Sequence, residues 1–295
     1  MAGAVSLAPR YPKNVQSKLR IVRRQRFIGA SALLLLSFCS RASALDYQIE
    51  GNLHYAKYPD TVLDVLQPSA PALGNRPGII VIHGGGWLQG DKEMMLDQYC
   101  LPFIRHGFVA ANIEYRLAKA APAPAAVSDV LQAAQWFHDH AAQYKVDPNR
   151  ILVTGASAGG HLALMVGMTP ESVKIAGVID FFGIADMADQ LVGPNAREYA
   201  AQWIPEQPNR MELARQMSPM TYVRKGLPPI LALHGDADPV VPYEQSVNLT
   251  KAIKSAGGDA ELITVPMGKH GFTPQQMDEL WPQIFKWIKK HKLGS

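Results

Sequence analysis

Cysteine is nearly absent: Cys39 and Cys100 are the only two in 295 residues. If Cys39 leaves with a leader, one thiol remains, which excludes an internal disulfide and a cysteine-based metal site. Acidic residues are missing from the first 44 positions, which hold eight of the 29 Lys and Arg side chains. The remaining 251 residues then carry 21 basic groups against 25 acidic ones. The whole-chain charge of +4 therefore belongs to one terminal segment and does not argue for a nucleic-acid surface. Long apolar runs are also lacking. The stretch Phe27 to Phe38 is twelve residues of apolar and small type, short of the about 20 that a membrane-spanning helix needs. No internal repeat, low-complexity tract or Gly-x-Gly-x-x-Gly dinucleotide fingerprint occurs. A hydrophobic content of 47% excludes disorder, and the part beyond residue 44 is long enough for one well-buried core.

Arg20, Arg23, Arg24 and Arg26 precede the apolar stretch, and Ala42-Ser43-Ala44 follows it. That order predicts a signal peptide over residues 1–44, cleavage after Ala44, and a mature domain over 45–295 that is periplasmic or secreted. The Arg23-Arg24 pair resembles a twin-arginine leader, with Arg26 where a hydrophobic residue is usual. Leu36-Ser37-Phe38-Cys39 resembles a lipoprotein box, but Phe38 is bulky for the position before the cysteine.

Past the leader, two extended stretches between Tyr47 and Leu66 read as opening antiparallel strands. Gly78 to Ile82 is short, continuous and rich in Ile and Val, as a strand buried on both faces requires. Helix-length and strand-length segments then alternate: a helix from about Lys92 to His106, a strand from Val109 to Tyr115, a helix from Ala125 to His140, and a strand from Ile151 to Thr154. A helix from Gly159 to Gly167 and a strand from Ile175 to Phe182 follow. Between Gly183 and Lys225 the pattern weakens, which predicts a small cap after the sixth strand. A strand from Pro229 to His234, a helix from Glu244 to Ala256, a strand from Glu261 to Val265 and a helix from Pro274 to Lys290 complete the chain. Such alternation predicts an α/β architecture, a mostly parallel eight-stranded sheet with helices on both faces.

Three motifs fall at predicted strand ends. Gly155-Ala156-Ser157-Ala158-Gly159 lies between a strand and a helix, where a serine in a sharp turn exposes its hydroxyl and small neighbours let the two elements approach. His83-Gly84-Gly85-Gly86-Trp87 follows a buried strand. Its glycines permit close backbone approach to a substrate oxyanion, so the N–H groups of Gly85, Gly86 and Ala158 are candidate donors. His83 reads as a support for that loop. A serine needs a base and a group that orients the base. His270 follows the last strand, and Asp236 and Asp238 follow the one before. Chain order favours Ser157, Asp238 and His270, with Asp236 the competing acid, better placed to shape its turn. His138 and His140 face different sides of a helix, which disfavours a shared metal. His161 reads as a packing residue, and Met165, Met168, Met211, Met217 and Met220 read as filling for core or cap.

In these motifs, together with Leu63-Asp64-Val65-Leu66, Glu114-Tyr115-Arg116-Leu117 and Lys269-His270-Gly271-Phe272, the chain resembles an α/β-hydrolase. More narrowly it resembles secreted bacterial carboxylesterases of the feruloyl/acetyl-xylan esterase type, related to the hormone-sensitive-lipase branch. It lacks the long N-terminal helical cap of that branch. The resemblance implies hydrolysis of a small-molecule or polysaccharide-linked carboxylic ester through an acyl-enzyme on Ser157, with His270 as base, Asp238 orienting it, and no metal or organic cofactor. Short acyl or compact aromatic acyl groups are expected, with Trp87 and Trp203 as candidate substrate contacts. An arylformamidase-like hydrolase of N-formyl amides and a non-catalytic binding protein on the same scaffold are the alternatives.

Overall fold

The computed structural model describes residues 47–294, so the expected leader and its cleavage site lie outside the described residues. Eight strands form one sheet in the order β1-β2-β4-β3-β5-β6-β7-β8. β1 (Tyr47–His54) and β2 (Val62–Pro68) pair antiparallel, and β2 pairs antiparallel with β4 (Val109–Ile113). From β4 onward every pairing is parallel: β3 (Arg76–Ile82), β5 (Val146–Ala156), β6 (Gly177–Phe181), β7 (Ile230–Gly235) and β8 (Ala260–Val265). This is the mostly parallel sheet of an α/β-hydrolase fold, as the alternating pattern predicts.

The period of two along each strand builds two cores. Ile79 and Val81 face one side, where Phe103, Leu280, Ile284 and Trp287 cover them. Ile80 and Ile82 face the other, against Val130, Phe137, Leu162 and Met165. All four strand residues are fully buried, each contributing roughly 1.5–3 kcal/mol relative to exposure. The covering helices are α1 (Leu101–Arg105), α2 (Ala125–Asp139), α3 (Ala158–Met168), α6 (Glu244–Ser255) and α7 (Pro274–Lys290). Between β6 and β7 the chain forms short helical turns that include α4 (Glu198–Trp203) and α5 (Arg210–Gln216). No helix among the described residues is long and apolar enough to cross a membrane.

The segment read as one helix from Lys92 to His106 is three pieces: a 3-10 turn Lys92–Met95, a π turn Leu96–Cys100, and α1. Pro102 has no N–H to give to the turn behind it, and the Leu101 N–H reaches back five residues to the Leu96 carbonyl. The α-helical register is broken there, in the turn before Pro102.

β3 lies between β4 and β5, and the chain leaves β3 toward β4 but leaves β5 toward β6, so it departs from the adjacent carboxyl ends of β3 and β5 in opposite directions. A crevice opens at such a switch point. It is kept narrow by glycine: a β-carbon on Gly159 would lie 2.2 Å from the Ile82 carbonyl oxygen and 2.6 Å from that of His83. Backbone atoms cannot yield as a side chain can. Gly159→Ala is therefore expected to lose at least 1–3 kcal/mol, roughly the cost of overpacking. Gly74→Ala, whose new methyl meets nothing within 4 Å, should stay within about 0.5 kcal/mol of the parent. Urea denaturation of both variants measures the difference.

Candidate active site

The crevice receives Ser157 from the β5–α3 turn. Its backbone is held at φ 58 and ψ −120, a conformation costly for a residue with a β-carbon. The surroundings fix it: Ser157 N–H donates to the Phe181 carbonyl at 2.9 Å and the Ser157 carbonyl accepts from His161 N–H at 3.0 Å. Gly155 completes the turn, because a β-carbon there would lie 2.3 Å from the Gly159 carbonyl oxygen.

His270 arrives from the loop after β8 and Asp238 from the loop after β7. Asp238 Oδ2 lies 2.7 Å from His270 Nδ1, and His270 Nε2 lies 2.9 Å from Ser157 Oγ. Asp238 Oδ1 accepts the N–H groups of Val240 and Val241 at 2.8 and 3.0 Å. Burial works against the charged carboxylate, but hydrogen bonds from His234, His270 and the Val240 N–H outweigh it and hold the carboxyl well below the usual range. An ionised Asp238 only accepts, so His270 carries its hydrogen on Nδ1 and turns the lone pair of Nε2 toward the serine hydroxyl. Phe182 packs edge-on against the imidazole, with ring centroids 4.9 Å apart. Asp236 lies elsewhere: its Oδ1 accepts the Met267 N–H at 2.6 Å, which shapes the turn before His270.

The glycine loop after β3 adjoins the serine. A β-carbon on Gly84 would lie 3.4 Å from Ser157 Cβ. Gly85 and Gly86 have φ of +110 and +62, where glycine is favoured, and Ala158 opens α3. Among the described residues the N–H groups of Gly85, Gly86 and Ala158 donate to no protein acceptor. Beneath the loop His83 is fully buried. It stacks on Tyr115 at 4.2 Å, its Nδ1 donates to the Gly84 carbonyl at 2.8 Å, and its Nε2 meets Glu114 Oε1 at 3.0 Å.

Trp87 and Trp203 do not line the cleft. Both are fully buried and stack on each other with centroids 4.2 Å apart. Trp87 adopts φ 60, and it packs edge-on against His161. His161 in turn donates from Nε2 to the Met217 carbonyl at 2.7 Å. Burial depresses the His161 pKa to about 4, against a smaller opposing effect of that hydrogen bond. The expectation of direct substrate contact by these tryptophans is thus corrected: they fasten the β6–β7 insertion to the body. The residue that reaches the oxyanion loop is Tyr199, one helical turn before Trp203 on α4. A β-carbon on Gly86 would lie 3.2 Å from Tyr199 Cβ. The Tyr199 hydroxyl donates to Gln190 Oε1 at 2.7 Å and lies 3.4 Å from the Val240 carbonyl. Sequence reading missed it because the insertion has no clear periodicity.

The chain is similar to known esterases in sequence and fold. The sequence model of the BD-FAE family matches residues 63–253. Esterase LipC of Mycobacterium tuberculosis is 27% identical over 74% of this chain and 58% of its own. The chain spans little more than half the length of the curated mycobacterial relatives it matches. Among solved structures, a truncated carbohydrate esterase from gut microbiota superposes with a TM-score of 0.75 at 29% identity, covering 83% of this chain and 96% of that one. Esterase Est2 of Thermogutta terrifontis, with propionate bound, superposes with a TM-score of 0.72 at 25% identity, covering 85% and 96%.

Asp180, at the end of β6, is fully buried behind the serine turn. Its Oδ1 accepts the Gly183 N–H at 3.0 Å, while Oδ2 has no partner. Burial raises its pKa to about 7, partly countered by His234 and the Gly183 N–H. In the unfolded chain the carboxyl titrates near about 3.9. Between these values the native state keeps a proton that the unfolded state has released, so this group makes stability fall as pH rises from about 4 to about 7. Asp180→Asn should remove that decline, and denaturation midpoints of both proteins across the interval test it.

Proposed function

This chain belongs to the BD-FAE family of α/β-hydrolases, and from that premise we propose that it is a serine esterase that hydrolyses carboxylic esters through an acyl-enzyme. The continuous chain from Ser157 Oγ through His270 to Asp238 carries the reading, set beside a glycine loop with N–H groups to spare. A substrate carbonyl between Ser157 Oγ and the N–H groups of Gly85, Gly86 and Ala158 is attacked as Ser157 passes its proton to His270 Nε2. The three donors stabilise the resulting oxyanion. His270 then protonates the departing alkoxide, and water repeats the sequence on the acyl-enzyme, returning Ser157. Asp238 holds the imidazole hydrogen on Nδ1 throughout. The donor set needs no metal, and every proton transferred has a named giver and taker. Amide or N-formyl cleavage by the same groups is less supported, because the named relatives are esterases. The basic, apolar leader supports an exported location.

Short acyl or compact aromatic acyl esters, free or carried on a carbohydrate, fit this site best. The roof over the oxyanion loop comes from α4, where Tyr199 Cβ stands 3.2 Å from the place a β-carbon on Gly86 would take. That contact leaves little apolar depth for a long chain, and each methylene left unburied forgoes about 0.8 kcal/mol.

A fluorophosphonate should label the protein once, and Ser157→Ala should abolish both labelling and turnover. Asp238→Asn is expected to lower kcat by about 10⁴-fold, whereas Asp236→Asn, whose bond from the Met267 N–H loses its charge, should act on stability; reversed sensitivities move the role of acid to Asp236. Across p-nitrophenyl esters from acetyl to palmitoyl, kcat/KM should peak at short chains. Tyr199→Ala should move that peak to longer ones, and a parent peak at ten or more carbons would show a deep acyl channel instead.

A further inference from the structure

His234 ends β7 and is fully buried, yet it takes no part in the proton path described above. Its Nε2 lies 3.1 Å from the Val241 carbonyl and 3.3 Å from Asp238 Oδ2. Its Nδ1 lies 2.7 Å from Ser246 Oγ on α6. A carbonyl only accepts, so Nε2 carries a hydrogen, which bonds the Val241 carbonyl with Asp238 Oδ2 close beside it. Ser246 holds the opposite side of the ring, and Tyr243 packs edge-on at 5.7 Å. The imidazole cannot turn over without losing both bonds.

Asp238 Oδ2 thus accepts the N–H of His270 at 2.7 Å and has the Nε2–H of His234 beside it at 3.3 Å. Resting on the esterase reading, we propose that His234 is a positioning residue: its Nε2–H steadies Asp238 and occupies part of the oxygen that binds His270. A carboxylate oxygen already engaged by one donor is a weaker acceptor for a second. Sharing therefore limits how strongly Asp238 stabilises the imidazolium form of His270 and eases return of the proton to the leaving group. Removing the His234 donor leaves Oδ2 wholly to His270, which then stays protonated to higher pH. The titratable groups facing His234 are Asp238 from its own loop, Asp180 from β6 and Tyr243 beside α6, with His270 reached through Asp238. Thr264 lies opposite it in register on β8.

The test is the pH profile of kcat and kcat/KM for p-nitrophenyl acetate, normalised to fluorophosphonate-titrated sites. The variants are His234→Phe, His234→Gln and Ser246→Ala. His234→Phe should lower kcat by about 10-fold, the scale of one hydrogen bond, with KM little changed. Its acid limb should move up by about half a pH unit. His234→Gln, which retains an N–H donor, should restore most of the rate and the limb. Ser246→Ala, a milder change should His234→Phe fail to fold, should move the limb in the same direction. Asp180→Asn added to His234→Phe should leave the shift in place, assigning it to Asp238 and His270. A limb unmoved in every variant, whatever the fall in rate, overturns the positioning role and leaves the esterase reading intact. A parent protein that neither turns over the ester nor takes the label overturns both.

Discussion

The carbonyl oxygens of Ile82 and His83 occupy the space that a β-carbon on Gly159 would need, and the rest of the site depends on this contact between bare backbones. It lets the serine turn lie against the glycine loop with no side chain between them. Nucleophile and oxyanion donors then belong to two neighbouring parallel strands whose spacing is set by the sheet. The strained φ of Ser157 follows from the same closeness, because a relaxed turn would carry the hydroxyl away from the crevice. Such strain persists only where the surroundings over-determine it, as the bonds to Phe181 and His161 do.

Two buried histidines then hold the loops at this edge of the sheet. His83 lies under the glycine loop, braced by Tyr115 and Glu114. His234 lies under the acid loop, braced by Ser246 and the Val241 carbonyl. Each converts a loop of small residues into a fixed set of dipoles, which costs no reorganisation when charge develops. Asp238 shows the result: three donors bond one carboxylate, with the His234 N–H close by, and its side chain is inaccessible to solvent.

Much of this was legible in the sequence because it rests on local rules. The β-branched run at Gly78 to Ile82, the helix from Pro274 to Lys290 and the order Ser157, Asp238, His270 all express short-range pattern or chain order. The structure brings those three side chains together. What could not be read depended on direction rather than composition. Trp87 follows the oxyanion glycines, and a solvent-facing role was reasonable until its backbone was seen to turn the indole inward. Trp203 and Tyr199 lie one helical turn apart, but only packing decides which enters the core. The interruption at Leu96 to Cys100 came from Pro102, whose missing N–H propagates a full turn backward. The place of His234 has no local signature, because its partner Ser246 is brought to it by β7 and α6.

The stacked pair of Trp87 and Trp203 separates attachment from recognition. The insertion between β6 and β7 is riveted to the body by two indoles and His161 on its inner side, while Tyr199, tied to Gln190 by its hydroxyl, lies toward the oxyanion loop. Changes at Tyr199 reach the rivet only through the Trp87 ring, whose centroid is 6.0 Å from its own, so a lineage can exchange one ester for another at little cost to the stability of the fold. Substitution at the rivet has the opposite character: it alters how the roof sits over every substrate at once. In this scaffold substrate range is free to drift quickly, while the frame that supports it changes slowly.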